Sequence, residues 1–287
     1  MASADGLNLT LVINCFFNAF LSFTAIVLNI ITMQALRKTS SLPKTLKTLL
    51  LSLAVSDLGV GLLAQPLYVA ILVMEIKQNT NSTAYYAVYK VRLIQACILV
   101  FASHFGVFAL AVDRFLAIQL HLRYQELVTH KRVVAVVISV WVFSASMSIL
   151  LNLFGFYIMK AVIFVVCVIT TGLLYCKIYA SVRHHTNQIH ALQVQQCGKT
   201  AARLKKSSLA TFYIYFVYLV CYLPISCFLF AKTVNDETPL LSHLHYFTRT
   251  LMFLNSSLNP LIYCWRMRHI RQTVMDILRN IFAIGPH

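Results

Sequence analysis

Long apolar stretches alternate with short polar connections along the whole chain, and this pattern recurs seven times. Each stretch is long enough to cross about 30 Å of hydrocarbon as a helix, which takes about 20 residues. A closed β-barrel would instead need runs of about ten residues of alternating polarity, which these stretches do not have. The pattern predicts an all-α membrane protein, one seven-transmembrane domain over residues 1–287. The predicted spans are residues 9–36, 45–74, 86–118, 133–156, 158–182, 205–231 and 242–264.

Two connections carry patterns of their own. The fourth and fifth spans follow each other so closely that the turn between them must be a few residues, around Asn152, Gly155 and Lys160. After the seventh span, basic and apolar residues alternate at roughly helical spacing over residues 266–282. This spacing predicts a short amphipathic helix, the eighth of the chain, that lies on membrane lipids.

Composition agrees with the membrane prediction. Hydrophobic residues make up 59% of the 287 residues and charged residues 11%, with a mean hydropathy of +0.75. An ordinary soluble domain is about 45–50% apolar and about 25% charged. The composition therefore argues strongly against a soluble globular protein.

The net charge of +16 at first suggests nucleic-acid binding, but the positions of the basic residues explain it differently. Of the 24 Lys and Arg residues, 18 fall on one side of the predicted membrane and 6 on the other. Because cytosolic connections carry the excess of Lys and Arg, the N-terminus is expected outside and the C-terminus in the cytosol. No nucleic-acid partner is expected, since no soluble reading module is present. Glycosylation sequons at Asn81 and Asn8 fall on the outer side, Asn81 being the better candidate.

Polar side chains inside apolar spans mark candidate functional positions, because an ionisable group in a bilayer is costly. Asp57 lies in the middle of the second span. Five polar residues on other spans are candidates to surround it: Asn29, Ser103, Asn255, Ser256 and Asn259. On spacing alone, the group could hold a cation or water, or its members could form unrelated hydrogen bonds between helices.

Short motifs occur in a fixed order along the spans. They are Leu53-Ala54-Val55-Ser56-Asp57-Leu58, Asp113-Arg114-Phe115, Trp141, Cys221-Tyr222-Leu223-Pro224 and Asn259-Pro260-Leu261-Ile262-Tyr263. The ordered set resembles the rhodopsin-like (class A) G-protein-coupled receptors over almost the whole chain. The resemblance implies a seven-helix bundle in the plasma membrane that binds an extracellular ligand and activates a heterotrimeric G protein on the cytosolic face.

The resemblance also implies a role for the polar residues around Asp57. This chain has a compatible residue at every position where the family binds an allosteric sodium ion. Asp57 would be the main ligand, with Asn29 near the other four residues. Bound sodium would stabilise the inactive packing, and no other cofactor is expected.

An activation switch is implied at the cytosolic ends of the helices. Asp113 is expected to hold Arg114 in the inactive state, and Tyr175 and Tyr263 are expected to close around Arg114 on activation. The second partner of this arginine in the family is an acid on the sixth helix, and Leu204 occupies that position here. We therefore expect basal activity. Taken without the resemblance, an Asp-Arg pair at a helix end is better explained as a solvated ion pair.

Positions around the sixth-helix proline depart from the family pattern. Tyr222 stands where the usual tryptophan precedes Pro224. In the packing switch beneath the ligand, His104 and Tyr218 replace an aliphatic residue and a phenylalanine, and Cys167 replaces a proline. The simplest expectation is a neutral His104 that is hydrogen-bonded to Tyr218 or Tyr222. The alternative is a pH-sensitive switch.

Three departures indicate a subgroup of the family. The fourth-to-fifth turn is short, Tyr89 stands where most members have a disulfide cysteine, and Cys167 replaces the fifth-helix proline. This combination resembles the melanocortin, lysophospholipid, cannabinoid and adenosine receptors, and the melanocortin receptors most of all.

The ligand follows less directly from the sequence. Ala96 replaces the aspartate that binds amines, and Leu229 replaces an asparagine of the adenosine receptors. Candidate ligand contacts lie in the outer third of the bundle: Arg92, Ala96, Val100, Lys232 and Arg249. Since arginine suits phosphate or carboxylate, an anionic or lipid-like ligand is expected, and a peptide stays open. The alternative for each basic residue is that it reaches out to lipid headgroups.

Two other classes of protein fit the sequence less well. A small transporter or channel would need polar lining along several helices or inverted repeats with broken helices, and the chain has one polar group and no internal repeat. An intramembrane enzyme would need paired acids or a metal-binding set, whereas Asp57 is the sole deep acid. No enzymatic activity is therefore expected, and the oligomeric state stays open.

Overall fold

The computed structural model describes the backbone of residues 2–120, 123–155, 157–192, 195–234 and 239–282, with most of their side chains. These ranges are helical except for short connections, and they contain no strand. They form ten α-helices and one π turn: α1 (Ala2–Lys38), α2 (Lys44–Gly59), the π turn Val60–Ala64, α3 (Gln65–Ile76), α4 (Thr83–Leu120), α5 (Tyr124–Leu127), α6 (His130–Leu153), α7 (Tyr157–Leu192), α8 (Gln195–Val234), α9 (Pro239–Arg266) and α10 (Arg268–Phe282).

Six of the predicted spans are helices long and apolar enough to cross a membrane among the described residues. They are α1, the continuous unit of α2 with α3, then α4, α6, α7 and α8. The seventh span is α9, which packs against both α8 and α1 and so closes the bundle. The predicted all-α seven-helix bundle is confirmed. Several helices run beyond the predicted spans, because a helix does not have to end at the membrane surface.

Helix α4 is the central helix of the bundle. It packs against α2, α3, α6, α7 and α8, so its side chains are enclosed along most of its length. Arg92, Ser103, His104, Asp113 and Arg114 are all buried on this one helix. The position of α4 thus places polar side chains in the interior at both ends and in the middle. The two ends are called outer and cytosolic after the predicted topology.

The second span contains a π turn that the sequence pattern did not predict. Pro66 lies two residues after this turn, and a proline inside a helix has no backbone N–H and clashes with the carbonyl four residues earlier. Helix α1 packs closely here, because a Cβ added to Gly61 would lie 3.1 Å from the carbonyl oxygen of Ser22. The Ser22 hydroxyl also donates to the Gly61 carbonyl at 2.7 Å. The turn separates Asp57, on α2, from the polar residues of α3.

The two remaining local predictions hold. Helix α6 ends at Leu153 and α7 begins at Tyr157, so the connection is short, and Gly155 adopts φ of 68° in it. Helix α10 is amphipathic: Ile270 and Ile277 are buried, while Arg271 and Arg279 are exposed. It packs against α1 and α9.

Candidate functional site

Three groups of buried or partly buried polar side chains lie at successive depths of the bundle. The cytosolic pair is Asp113 and Arg114. The central cluster consists of Asp57, Asn29, Ser103, Asn255, Ser256 and Asn259. The outer cluster consists of Gln65, Tyr68, Glu75, Arg92, Gln95 and Arg249.

The central cluster is joined by a hydrogen bond between α2 and α9. The Asn259 Nδ2 amide donates to Asp57 Oδ2 at 2.8 Å, and the side chains of the cluster are buried. Among the described residues, Asp57 Oδ1, Asn255 Oδ1 and Asn259 Oδ1 have no hydrogen-bond partner. Carboxylate and amide oxygens are the ligands that hard cations take. The donor set present therefore fits a small hard cation, and the sodium assignment stays a prediction.

Asn29 bonds to the backbone through its amide nitrogen, while its Oδ1 has no hydrogen-bond partner among the described residues, so its place in the sodium site stays a prediction. Its Nδ2 amide donates to the carbonyl oxygens of Ala25 at 2.8 Å and Ser256 at 2.9 Å. Pro260 follows Ser256 by four residues and has no N–H to offer, so the Ser256 carbonyl would otherwise lose its helical partner. Asn29 therefore joins α1 to the proline kink of α9.

A row of polar contacts between α1 and α9 was missed by the sequence reasoning. Thr250 donates to Asn14 Oδ1 at 2.6 Å, and Asn18 donates to Thr250 Oγ1 at 2.8 Å. Thr10 Oγ1 lies 2.8 Å from His243 Nδ1, and this contact continues the row. The signal was present, because Thr10, Asn14 and Asn18 recur every four residues and so share one face of a helix.

The cytosolic pair is fully enclosed. Both side chains are about 4% exposed, and Arg114 Nε donates to Asp113 Oδ2 at 3.0 Å while its Nη2 contacts the same oxygen. The alternative of a solvated surface ion pair is therefore wrong for this structure.

Tyr124 completes the contacts of Asp113 and was not predicted. Its hydroxyl donates to Asp113 Oδ1 at 2.6 Å and lies 3.2 Å from the Thr45 hydroxyl. Burial, and then the neighbouring Asp113 carboxylate, raise the pKa of Tyr124 to about 12. The phenol therefore stays protonated at neutral pH and can donate to the carboxylate throughout.

The two switch tyrosines are buried in the cytosolic half. Tyr175 donates to the Thr211 carbonyl on α8 at 2.9 Å and stacks on Tyr215 with ring centroids 5.1 Å apart. The Tyr263 hydroxyl has no hydrogen-bond partner among the described residues. This arrangement matches the held arginine expected of an inactive state. The Leu204 side chain lies outside the described residues, so the missing long-range partner of Arg114 stays a prediction.

His104 has a different hydrogen-bond partner from the one expected. Its Nδ1 donates to the Val100 carbonyl at 2.7 Å, and the expected bond to a tyrosine is wrong. The ring packs edge-on against Phe164, Tyr218 and Tyr222, with centroids 4.6 Å, 4.8 Å and 5.0 Å away. Nδ1 is bonded to a backbone carbonyl of its own helix, and the sequence alone could not show that this carbonyl would be its partner. Tyr222 lies on α8, two residues before the internal Pro224.

Two arginines meet at one ring in the outer cluster. The Arg92 guanidinium lies 5.7 Å from the centroid of the Tyr68 ring, and that of Arg249 lies 5.9 Å from the same centroid. Glu75 accepts hydrogen bonds from the hydroxyls of Tyr85 and Tyr246, each at 3.0 Å.

The other predicted ligand contacts are less informative. Ala96 and Val100 are partly buried and follow Arg92 at four-residue intervals, which places the three on one face of α4. The Val100 carbonyl is already engaged by His104. Lys232 lies outside the described side chains.

A separate groove of about 710 Å³ lies between α4 and α6 near the cytosolic end. Its walls are mainly apolar, with Phe105, Phe108 and Phe143 among the lining residues. Asp113 is the one predicted site residue that borders it. The groove therefore does not coincide with the predicted ligand contacts.

Comparison with known proteins gives a consistent result. A family model described as 7 transmembrane receptor (rhodopsin family) matches residues 28–157 and 152–263. Adenosine receptor A2a of Canis lupus familiaris is 26% identical over 89% of this chain and 69% of its own length. Melanocortin receptor 5 of Homo sapiens is 26% identical over 87% of this chain and 79% of its own length. Adenosine receptor A2b of Gallus gallus is 25% identical over 89% of this chain and 85% of its own length.

Proposed function

The chain belongs to the rhodopsin family of seven-transmembrane receptors, and we propose that it relays an extracellular ligand to a cytosolic G protein through the buried Asp113–Arg114 pair. It is a multi-pass membrane receptor related to the adenosine and melanocortin receptors. The family is one of G-protein-coupled receptors rather than enzymes, and it does not favour the transporter or channel alternative.

The proposed topology has the N-terminus outside the plasma membrane and the C-terminus in the cytosol. The excess of basic residues on the side of α5 and α10 supports this orientation. Asn81 is exposed in the turn between α3 and α4, where a glycan on the outer face would be accommodated. Asn8 is exposed as well, near the start of α1.

The observation that carries the proposed mechanism is the enclosure of Arg114. An arginine held by Asp113 inside the bundle is not available to a partner. Movement of α8 would carry away the Thr211 carbonyl and free the Tyr175 hydroxyl that now donates to it. The freed tyrosines could then close around Arg114 and leave the cytosolic end open to a G protein.

The experiment replaces the arginine and keeps the rest of the chain. Basal G-protein activation is measured in cells with reporters for several G proteins, at matched surface expression. Arg114→Ala is expected to lower the basal signal by about tenfold, within the usual range of coupling energies between sites. The control is Arg123→Ala, because Arg123 is a basic residue of the same cytosolic connection and is exposed. A signal from Arg114→Ala equal to that of wild type contradicts the proposal. A wild-type signal no higher than that of empty-vector cells contradicts the expected basal activity.

We also propose that the central cluster binds sodium in the inactive receptor. Asp57 would supply the negative charge, and the amide oxygens of Asn255 and Asn259, unpartnered among the described residues, would supply neutral ligands. The ion would cross-link α2 and α9, next to the direct Asp57–Asn259 bond. It would thereby hold the bundle in the packing that keeps Arg114 enclosed.

A further inference from the structure

We propose that the outer cluster binds the oxyanion of the receptor's ligand, a carboxylate or a phosphate, on one edge of the Arg92 guanidinium. Gln65, Tyr68 and Gln95 complete this site. The inference rests on the receptor function proposed above. It assigns the chemical class of the ligand and the residues that recognise it.

The orientation of Arg92 leaves its binding edge open. Nε and Nη2 are buried and have no hydrogen-bond partner among the described residues. These two nitrogens form one edge of the guanidinium, and their N–H bonds point in parallel. A carboxylate or phosphate presents two oxygens that match this edge, which is the usual bidentate arrangement.

Burial distinguishes this site from an arginine that reaches out to lipid headgroups. Snorkelling keeps the charged group in water or among headgroups. Arg92 is instead 3% exposed, and its guanidinium lies 5.7 Å from the centroid of the Tyr68 ring and 5.3 Å from that of the Tyr89 ring. The charge is therefore directed into the bundle.

The charge balance of the outer cluster is positive. Arg249 lies against the same Tyr68 ring and repels Arg92. Neither arginine forms an ion pair with an acid among the residues that the structure describes. Glu75, the nearby carboxylate, is occupied by two tyrosine hydroxyls. Buried charges in proteins are normally paired, so the site favours an anion that the described chain does not itself provide.

Further unpartnered groups lie one helical turn deeper than the arginine. Gln65 precedes Tyr68 by three residues on α3, and Gln95 follows Arg92 by three residues on α4, so each lies on the same face as its neighbour. The side-chain amides of both glutamines and the Tyr68 hydroxyl have no partner among the described residues. Gln65 and Tyr68 are 0% exposed. Because buried polar groups are normally hydrogen-bonded, these three side chains would bind polar atoms next to the oxyanion.

The test uses the purified full-length receptor in nanodiscs of neutral lipid and measures its melting temperature. The probes are inorganic phosphate, hexadecyl phosphate and palmitate, with hexadecanol as the uncharged counterpart. At least one anionic probe is expected to raise the melting temperature, and hexadecanol is not. The comparison between hexadecyl phosphate and palmitate separates phosphate from carboxylate recognition, and inorganic phosphate tests whether a headgroup alone is enough.

Four variants connect any shift to the site. Arg92→Gln and Arg249→Gln are expected to raise the midpoint concentration of the active probe at least tenfold, and Arg92→Lys to raise it by less. Lys90→Gln is the matched control, because Lys90 lies on the same end of α4 and is exposed, and it should behave as wild type. The proposal is overturned if no anionic probe stabilises the receptor, or if the shift is the same in wild type and both glutamine variants.

A second readout separates a ligand-binding arginine from a structural one. Without any probe, Arg92→Gln should melt no lower than wild type, because it removes a buried charge that has no partner. A purely structural arginine would give a lower melting temperature. A wild-type receptor that binds the anionic probe but does not activate a G protein refutes the proposed function and leaves this inference standing.

Discussion

Helix α4 carries two buried arginines whose surroundings are opposite. Arg114 at the cytosolic end contacts Asp113, and Asp113 in turn accepts a hydrogen bond from Tyr124. Arg92 at the outer end has an unpartnered edge and a second arginine on the same tyrosine ring. The two are equally buried, so burial does not distinguish them. They differ in the source of the neutralising negative charge. The chain itself supplies this charge to Arg114, whereas for Arg92 we expect it to come from a ligand.

The largest effect is expected where the internal pair is broken. Asp113→Asn removes the carboxylate and leaves the charge of Arg114 buried, which typically costs about 3–5 kcal/mol. The melting temperature of the purified receptor should fall clearly and basal G-protein activation should rise, because Arg114 is no longer held. Arg92→Gln should show neither change. If the two variants melt alike, the contrast between the arginines is wrong.

A smaller effect is expected at the central cluster, between the two arginines. With sodium at about ten times its dissociation constant, binding would stabilise the wild-type receptor by about 1.4 kcal/mol. Melting curves in sodium chloride and in choline chloride measure this difference directly. Asp57→Asn should abolish the difference, whereas Asn18→Ala, in the row between α1 and α9, should keep it. Equal sodium dependence in wild type and Asp57→Asn counts against the sodium site.

The smallest effect tests the unpredicted partner of Asp113. Tyr124→Phe removes one hydrogen bond to the carboxylate and keeps the ring, and a bond to a charged group contributes about 1.5–3 kcal/mol in general. Because Tyr124 itself is only partly buried, we expect about 1 kcal/mol, the typical net contribution of a hydrogen bond. Basal activation should rise, but less than in Asp113→Asn. A rise as large as that of Asp113→Asn would mean that Tyr124, and not the carboxylate, holds the arginine.

The parts of the fold that depend on one-dimensional patterns could be predicted from the sequence. The span positions, the short turn at Gly155 and the amphipathic helix α10 follow from apolar length and helical spacing. The π turn could not be predicted in the same way, since Pro66 disturbs a helix without fixing how the backbone adapts. The lengths of α7 and α8 differ from the predicted spans because helix propensity, and not hydrophobicity, governs a helix outside the membrane.

The same distinction applies to the functional sites. Residue types that are costly in a membrane, such as Asp57 and Arg92, were recognisable from the sequence. Their hydrogen-bond partners depend on which backbone and side-chain groups meet in space. Asn29 binds the carbonyl freed by Pro260, and His104 binds the Val100 carbonyl instead of a tyrosine. Gln65 and Gln95 were overlooked because a glutamine in a span is informative only when the structure leaves its amide unpaired.

One experiment, in intact cells and with purified protein, can distinguish the roles of the two arginines. Arg114→Ala and Arg92→Gln are compared with wild type for basal G-protein activation and for thermal stabilisation by the active anionic probe. The account predicts that Arg114→Ala loses the signal and keeps the stabilisation, while Arg92→Gln keeps the signal and loses the stabilisation. If both variants lose both properties, or if neither property separates them, the division of roles between the two ends of α4 is contradicted.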